Sequence, residues 1–163
     1  MSTGPLRPGV RLGVDVGSVR VGVARTDPEA ILTIPVETIH RSDDGSDLRR
    51  LVDIARQFDV VEIVVGLPRH LGGGEGVSAG AARRFARRIA RALPDVRVCL
   101  VDERLSSNQA HRRLRESGVP EREHRAMVDQ VAAQIILEQA LDDERMGTGI
   151  PGQTVEPRDR KGT

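Results

Sequence analysis

The chain has 163 residues, with 25 basic side chains against 24 acidic ones, a formal net charge of +1, 38% hydrophobic residues and two aromatics, Phe58 and Phe85. That is the profile of one globular domain of ordinary size. No apolar run approaches the roughly 18 to 20 residues that span a bilayer, and the opening MSTGPLRPGV lacks the apolar core of a secretory signal, so a cytoplasmic protein with no membrane contact is expected. A lone cysteine, Cys99, excludes a disulfide framework, a Cys-based zinc site and an iron–sulfur cluster, and the absence of Trp and Tyr argues against a reader that stacks bases on aromatic platforms.

In chain order, residues 1–9 are Gly/Pro-rich and polar and read as a disordered tail. Val10, Leu12, Val14 and Val16 alternate on one face of a first strand, and Val19, Val21 and Val23 continue on a second after the Gly17-Ser18 step, which makes a hairpin. A third extended stretch runs from Ile31 to Ile39. Leu48, Leu51, Val52 and Ala55 recur at helical spacing, and the continuous apolar run Val60 to Leu67 predicts a central buried strand. The Gly-rich loop around Gly72, Gly73 and Gly74 lacks the Gly-Lys-Ser/Thr of a phosphate-binding loop and reads as a flap. An amphipathic helix follows, with Ala82, Phe85, Ala86, Ile89 and Leu93 on one stripe and Arg84, Arg87, Arg88 and Arg91 on another. Val96 to Val101 predicts another strand. Ser106-Ser107-Asn108-Gln109 offers a capping box for a helix that Gly118-Val119-Pro120 closes, and a last helix runs from about Glu121 to Glu144. Residues 145–163 lack apolar periodicity and read as a second tail, leaving one domain over 10–144. The order βββαβαβα, with a further helix at the end, implies an α/β fold with a mixed sheet and helices on both faces.

The neutral total charge hides an asymmetry. Residues 83–125 carry 12 Arg and 6 acids, while the rest of the chain is net acidic. Arg holds phosphate or carboxylate bidentately, although a GC-rich genome would give the same bias.

Three acidic positions stand out. Asp15 sits at the end of a strand before Gly17, where its carboxylate either caps the turn amides or binds a cation. Asp102-Glu103-Arg104 follows the strand ending at Val101, beyond the carboxyl end where ligand sites of parallel sheets form. Asp129 lies among Met127, Val128, Val131, Ala132, Ile135 and Ile136 of the last helix, where it either pairs with Arg125 one turn earlier or points across to Asp15 and Glu103. Three converging carboxylates would need one or two divalent cations. His40, His70, His111 and His124 show no ligand spacing, and only His70, beside the flap, is a candidate for catalysis. Cys99, within a buried strand, reads as structural.

The stretch from Asp15 to Ala24, D-V-G-S-V-R-V-G-V-A, resembles the opening motif of the YqgF/RuvX family of RNase H-like nucleases. Val64-Val65-Gly66-Leu67-Pro68, Asp102-Glu103-Arg104-Leu105-Ser106-Ser107 and Val128-Asp129-Gln130-Val131-Ala132-Ala133 resemble later blocks of that family in the same order. The resemblance implies an RNase H-like, five-stranded mixed sheet whose first three strands are antiparallel. It implies that Asp15, Glu103 and Asp129 are catalytic metal ligands, that the cofactor is Mg2+ or Mn2+, as two ions, and that a phosphodiester is hydrolysed by two-metal chemistry. Arg20, Arg104, Arg125 and the Arg84/Arg87/Arg88/Arg91 stripe become candidate phosphate contacts. The substrate is a structured RNA, with processing of the 5′ end of the 16S ribosomal RNA precursor expected, or branched DNA, as in a Holliday junction resolvase. Symmetric cutting of a junction calls for a homodimer, whereas RNA-end processing works with a monomer. Actin-like kinases share the opening D-x-G but need a second half, and a non-catalytic adaptor would lack one of the three acids.

Overall fold

A computed structural model describes residues 6–68, 75–103, 107–147 and 152–157. Three strands open the chain: β1 (Arg11–Val16), β2 (Arg20–Thr26) and β3 (Thr33–His40). Helix α1 (Ser46–Gln57), β4 (Glu62–Pro68), α2 (Val77–Ala92) and β5 (Arg97–Glu103) follow. Helix α3 (Ser107–Glu116) and a 3-10 turn (Glu121–Glu123) lead into α4 (His124–Arg145), and β6 (Gln153–Thr154) comes last. The sheet order is β3-β2-β1-β4-β5-β6. Strands β1 to β3 form an antiparallel meander, β1, β4 and β5 are parallel, and β6 is antiparallel to β5.

The sheet is therefore mixed, as expected, but has six strands rather than five. The sixth lies within the stretch read as a tail. Val155 N–H donates to the Val98 carbonyl at 2.8 Å, and Arg97 Nη2 donates to Thr154 Oγ1 at 2.9 Å, so this segment covers the outer edge of β5. A two-residue strand has no periodicity to show in the sequence. Two further boundaries moved. Val19 is 59% exposed in the hairpin turn rather than on a strand face. Ile31 and Leu32 precede β3 instead of opening it, because both of their N–H groups donate to Asp27 Oδ1 at 2.7 Å.

Alternation along the strands splits the core between the two faces. Leu12, Val14, Val16, Ile63, Val65, Leu67, Val98 and Leu100 pack under α1 and α2. Ala24, Val64, Cys99 and Val101 pack under Ala133, Ile136, Leu137 and Ala140 of α4. Helix α3 lies on α4 through Ala110, Leu114, Val131 and Ile135. No described helix is long and apolar enough to cross a membrane.

One end of the α4 face is ionic. Arg11, Glu62 and Arg97 stand in one row across β1, β4 and β5. Arg7 and Arg97 each donate to Glu62 Oε2 at 2.8 Å, and Arg11 Nη2 donates to Glu144 Oε2 at 2.8 Å. Arg7, placed in the expected N-terminal tail, is thus held by Glu62 and by Glu144 of α4. Arg11 is 1% exposed and Glu62 fully buried. Removing one partner of such a network strands the others without a counter-charge in low dielectric. Glu62→Gln is therefore expected to cost about 3 kcal/mol in urea denaturation. Arg115→Ala, which breaks an exposed pair with Glu121, should leave the midpoint unchanged.

Candidate active site

The opposite end of the same face carries the acidic residues. Asp15 is the penultimate residue of β1 and is in register with Gly22 of β2. Glu103 ends β5, opposite Pro68 of β4. Strand β5 thus runs two residues beyond the predicted Val101, and Asp102 and Glu103 lie in it rather than after it. That extension separates the acidic pair. Glu103 takes the side of Cys99 and Val101, facing α4, while Asp102 takes the side of Val98 and Leu100. By the same alternation Asp15, between Val14 and Val16, also faces α4.

Asp129 arrives from α4, and glycines set how near it comes. A β-carbon on Gly22 would stand 1.9 Å from the Asp129 carbonyl oxygen, and one on Gly13 would stand 2.5 Å from the Ala133 carbonyl oxygen. The helix backbone rests where the sheet has no side chains. Gly66 does the same for Glu103: a β-carbon there would lie 3.1 Å from Oε2 and 2.5 Å from Ile136 Cδ1. Gln130 Nε2 donates to Thr38 Oγ1 at 3.1 Å, and Gln134 Nε2 donates to the Thr33 carbonyl at 3.0 Å, which tie the same helix to β3. The hairpin turn beside Asp15 is fixed as well, since Arg41 Nη1 donates to the Gly17 carbonyl at 3.0 Å.

The electrostatics follow from this packing. Burial raises the Asp15 carboxyl to about 6, and the nearby Asp129 charge adds to the rise. Glu103 is pushed up to about 8, chiefly by burial and then by Asp15. Asp15 therefore stands between two like charges. Among the described residues no ion pair offsets the charge of these recessed carboxyls, and their hard oxygen donors suit Mg2+ or Mn2+. Among the described residues no group of three His, Cys, Asp or Glu side chains is arranged to hold a metal ion as the structure stands. Asp129 instead gives Oδ2 to Arg20, whose Nε donates to it at 2.7 Å.

Comparison with known proteins bears on the family and the fold. The model of the RuvX family, described as Holliday junction resolvase, matches residues 9–143. The chain belongs to the RuvX family. A relative from Streptomyces coelicolor is 47% identical over 151 residues, covering 93% of this chain and 90% of that one. Another, from Clavibacter sepedonicus, is 48% identical over 156 residues, covering 95% and 96%. Both carry the name "Putative pre-16S rRNA nuclease". Among solved structures, RuvC of Thermus thermophilus in complex with a Holliday junction substrate superposes with a TM-score of 0.57 at 14% identity, over 90% of this chain and 99% of that one. At that identity the likeness is one of fold.

The remaining candidates of this RuvX chain distribute unevenly. Arg104, the flap residues Gly72, Gly73 and Gly74, His70 and Ser106 lie outside the described residues. Arg84, Arg87, Arg88 and Arg91 sit on α2, which covers the face of the sheet opposite Asp15 and Glu103. Arg88 is engaged there, 3.9 Å from Asp47 and over the Phe85 ring. Arg125 is exposed in the first turn of α4, and Arg20 takes the role of partner to Asp129 that spacing suggested for it. Burial pushes the Cys99 thiol up to about 12, which leaves it without nucleophilic character near neutral pH.

The sequence reading missed a contact one turn before Asp129. His111 Nδ1 and His124 Nδ1 are 2.6 Å apart, and His124 Nε2 lies 3.0 Å from the Val119 carbonyl. A carbonyl only accepts, so in the neutral pair His124 carries its proton on Nε2 and His111 donates from Nδ1. The pair fastens α3 to the start of α4.

Two outcomes are expected of the RuvX chain without metal. Both raised carboxyls bind protons more tightly folded than unfolded, so their contribution to stability is full below about pH 4 and is lost as pH rises through about 6 for Asp15 and about 8 for Glu103. Glu103→Gln should match the wild type near pH 4 and exceed it in denaturant midpoint by a margin that grows from about pH 4.5 to about pH 8 and then levels off. Gly22→Ala should destabilise by about 1 to 3 kcal/mol through overpacking. It should also move the Asp15 titration, followed by carboxyl NMR, toward the ordinary range as α4 is lifted away.

Proposed function

We propose that this RuvX chain is a divalent-metal-dependent nuclease that hydrolyses phosphodiester bonds in processing the 5′ end of the 16S ribosomal RNA precursor. The observation that carries this reading is the pair of recessed carboxyls at the ends of β1 and β5, each with its proton affinity raised by burial and by a neighbouring acid. A carboxylate cluster with no cation for Asp15 or Glu103 among the described residues is costly to keep for stability alone, and it suits a site that takes its charge from a bound ion. The RNA substrate is taken from the shared name of relatives 47% and 48% identical over nearly the whole chain.

In this reading Asp15, Glu103 and Asp129 hold Mg2+ or Mn2+. The ions, when bound, supply Lewis-acid stabilisation of the attacking and leaving oxygens of an in-line displacement. The chain's own residues do the rest. Asp15 would be central to such a ligand set, because it neighbours both other acids. Gly66 leaves room for Glu103 and for the buried Ile136 of α4. With the carboxylates neutralised by metal, a polyanion can approach without repulsion. Arg104 and the Gly72–Gly74 segment remain candidates to meet flanking phosphates. The α2 arginines, on the other face, would contact only a substrate that wraps the domain.

Cleavage of a four-way DNA junction is the second reading, favoured by the description of the family model. The test is incubation of the purified protein with a 5′-extended 16S rRNA precursor and with a four-way junction, in Mn2+, Mg2+ or EDTA. The precursor should be cut only with metal, and Asp15→Asn should lower the rate by a factor of about 100 or more. Junction cutting with the precursor left intact would establish the second reading. Cleavage that survives both EDTA and Asp15→Asn would remove the metal mechanism.

A further inference from the structure

Arg20 and Asp129 come from different elements, and both are fixed from behind. Arg20 opens β2, where its carbonyl accepts from Gly17 N–H at 2.9 Å and its backbone is in register with His40 of β3. Asp129 is held by the seating of α4 on Gly22. Between them Arg20 Nε donates to Asp129 Oδ2 at 2.7 Å, with the Arg20 side chain 32% exposed and the Asp129 side chain 19% exposed. A guanidinium stays charged at any working pH. Another cation can therefore exchange for the guanidinium at this carboxylate.

We propose that Arg20 is the counter-charge that a divalent cation displaces from Asp129, so that Arg20 sets the metal affinity of the free protein by competing for that carboxylate. This inference rests on the metal reading of the site given above. In the exchange the Nε–H···Oδ2 hydrogen bond breaks, the carboxylate oxygen turns to the ion, and the guanidinium moves outward. Its one-third exposure gives it somewhere to go. The pair also ties the start of β2 to α4. Arg20 is a positioning residue in this scheme, acting through Asp129 rather than on the substrate.

The experiment is calorimetric titration of Mn2+ into the wild type, Arg20→Gln, Arg20→Lys, Asp129→Asn and the Arg20→Gln/Asp129→Asn double variant, with Asp15→Asn alongside. Arg20→Gln should bind Mn2+ about fivefold more tightly, as expected for removal of a part-exposed ion pair. Arg20→Lys should stay near the wild type, and in the Asp129→Asn background the Gln substitution should change nothing. Affinity that is unchanged or weaker in Arg20→Gln overturns the proposal. A wild type that binds no Mn2+, or an Asp15→Asn variant that binds it as well as the wild type, instead overturns the metal reading itself. A second measurement uses the wild type alone: the Arg20 Nε–H resonance, assigned by its loss in Arg20→Lys, should shift or exchange away at saturating Mg2+. A resonance that stays in place at saturation contradicts the exchange even if Arg20→Gln does not fold.

Discussion

A β-carbon on Gly22 would stand 1.9 Å from the carbonyl of Asp129, so helix α4 can lie on this sheet only where the sheet carries no side chain. The acidic site depends on that approach. It brings Asp129 within electrostatic reach of Asp15, and it buries Asp15 and Glu103 enough to raise both carboxyls. The two glycines under the helix, Gly13 and Gly22, are consecutive inward positions of neighbouring strands. The site is built by backbone proximity first and by side-chain chemistry second.

The same face of the sheet shows the two solutions to a buried charge at its two ends. At the start of β1, β4 and β5, Glu62 is surrounded by Arg7, Arg11 and Arg97, and Glu144 closes the network from α4. At the far ends of β1 and β5 the acids Asp15 and Glu103 face one another's charge instead. Apolar residues of the α4 cluster, Val64, Cys99 and Ile136 among them, separate the two ends. One end is neutralised by the chain itself, whereas at the other burial and like charge raise both carboxyls. That difference, rather than acidity alone, supports the proposal that the second end is the working one, because strongly perturbed carboxyls cluster at functional sites.

Much of this was legible in the sequence wherever the signal was local. Alternation gave β1 and β2, continuous apolar runs gave the buried strands β4 and β5, and the spacing of Ala82, Phe85, Ala86 and Ile89 gave α2 and the face it buries. The three acids were visible as charges out of keeping with their apolar surroundings. Choosing Glu103 over Asp102 required the resemblance to known blocks, because the predicted strand stopped at Val101 and alternation could not be carried to the pair. What stayed hidden is long-range. Arg20 and Asp129 are 109 residues apart, Arg7 and Glu144 137 apart, and nothing in the local pattern of either partner points to the other. Gly22 read as one more small residue of a hairpin, since its purpose is set by a helix more than a hundred positions away. Strand β6 is too short to carry a period, and the His111–His124 contact joins two helices whose packing spacing alone does not specify.

The account's central claim is that Asp15 and Glu103 are held at a cost that a divalent cation relieves. Thermal melting at pH 8 with and without Mn2+ measures this directly on the wild type and on Asp15→Asn and Glu103→Gln. The claim predicts that Mn2+ raises the wild-type midpoint by several degrees, as ligand binding to the native state requires, and leaves both variants unmoved. An equal shift in all three proteins, or none in the wild type at millimolar Mn2+, would contradict it.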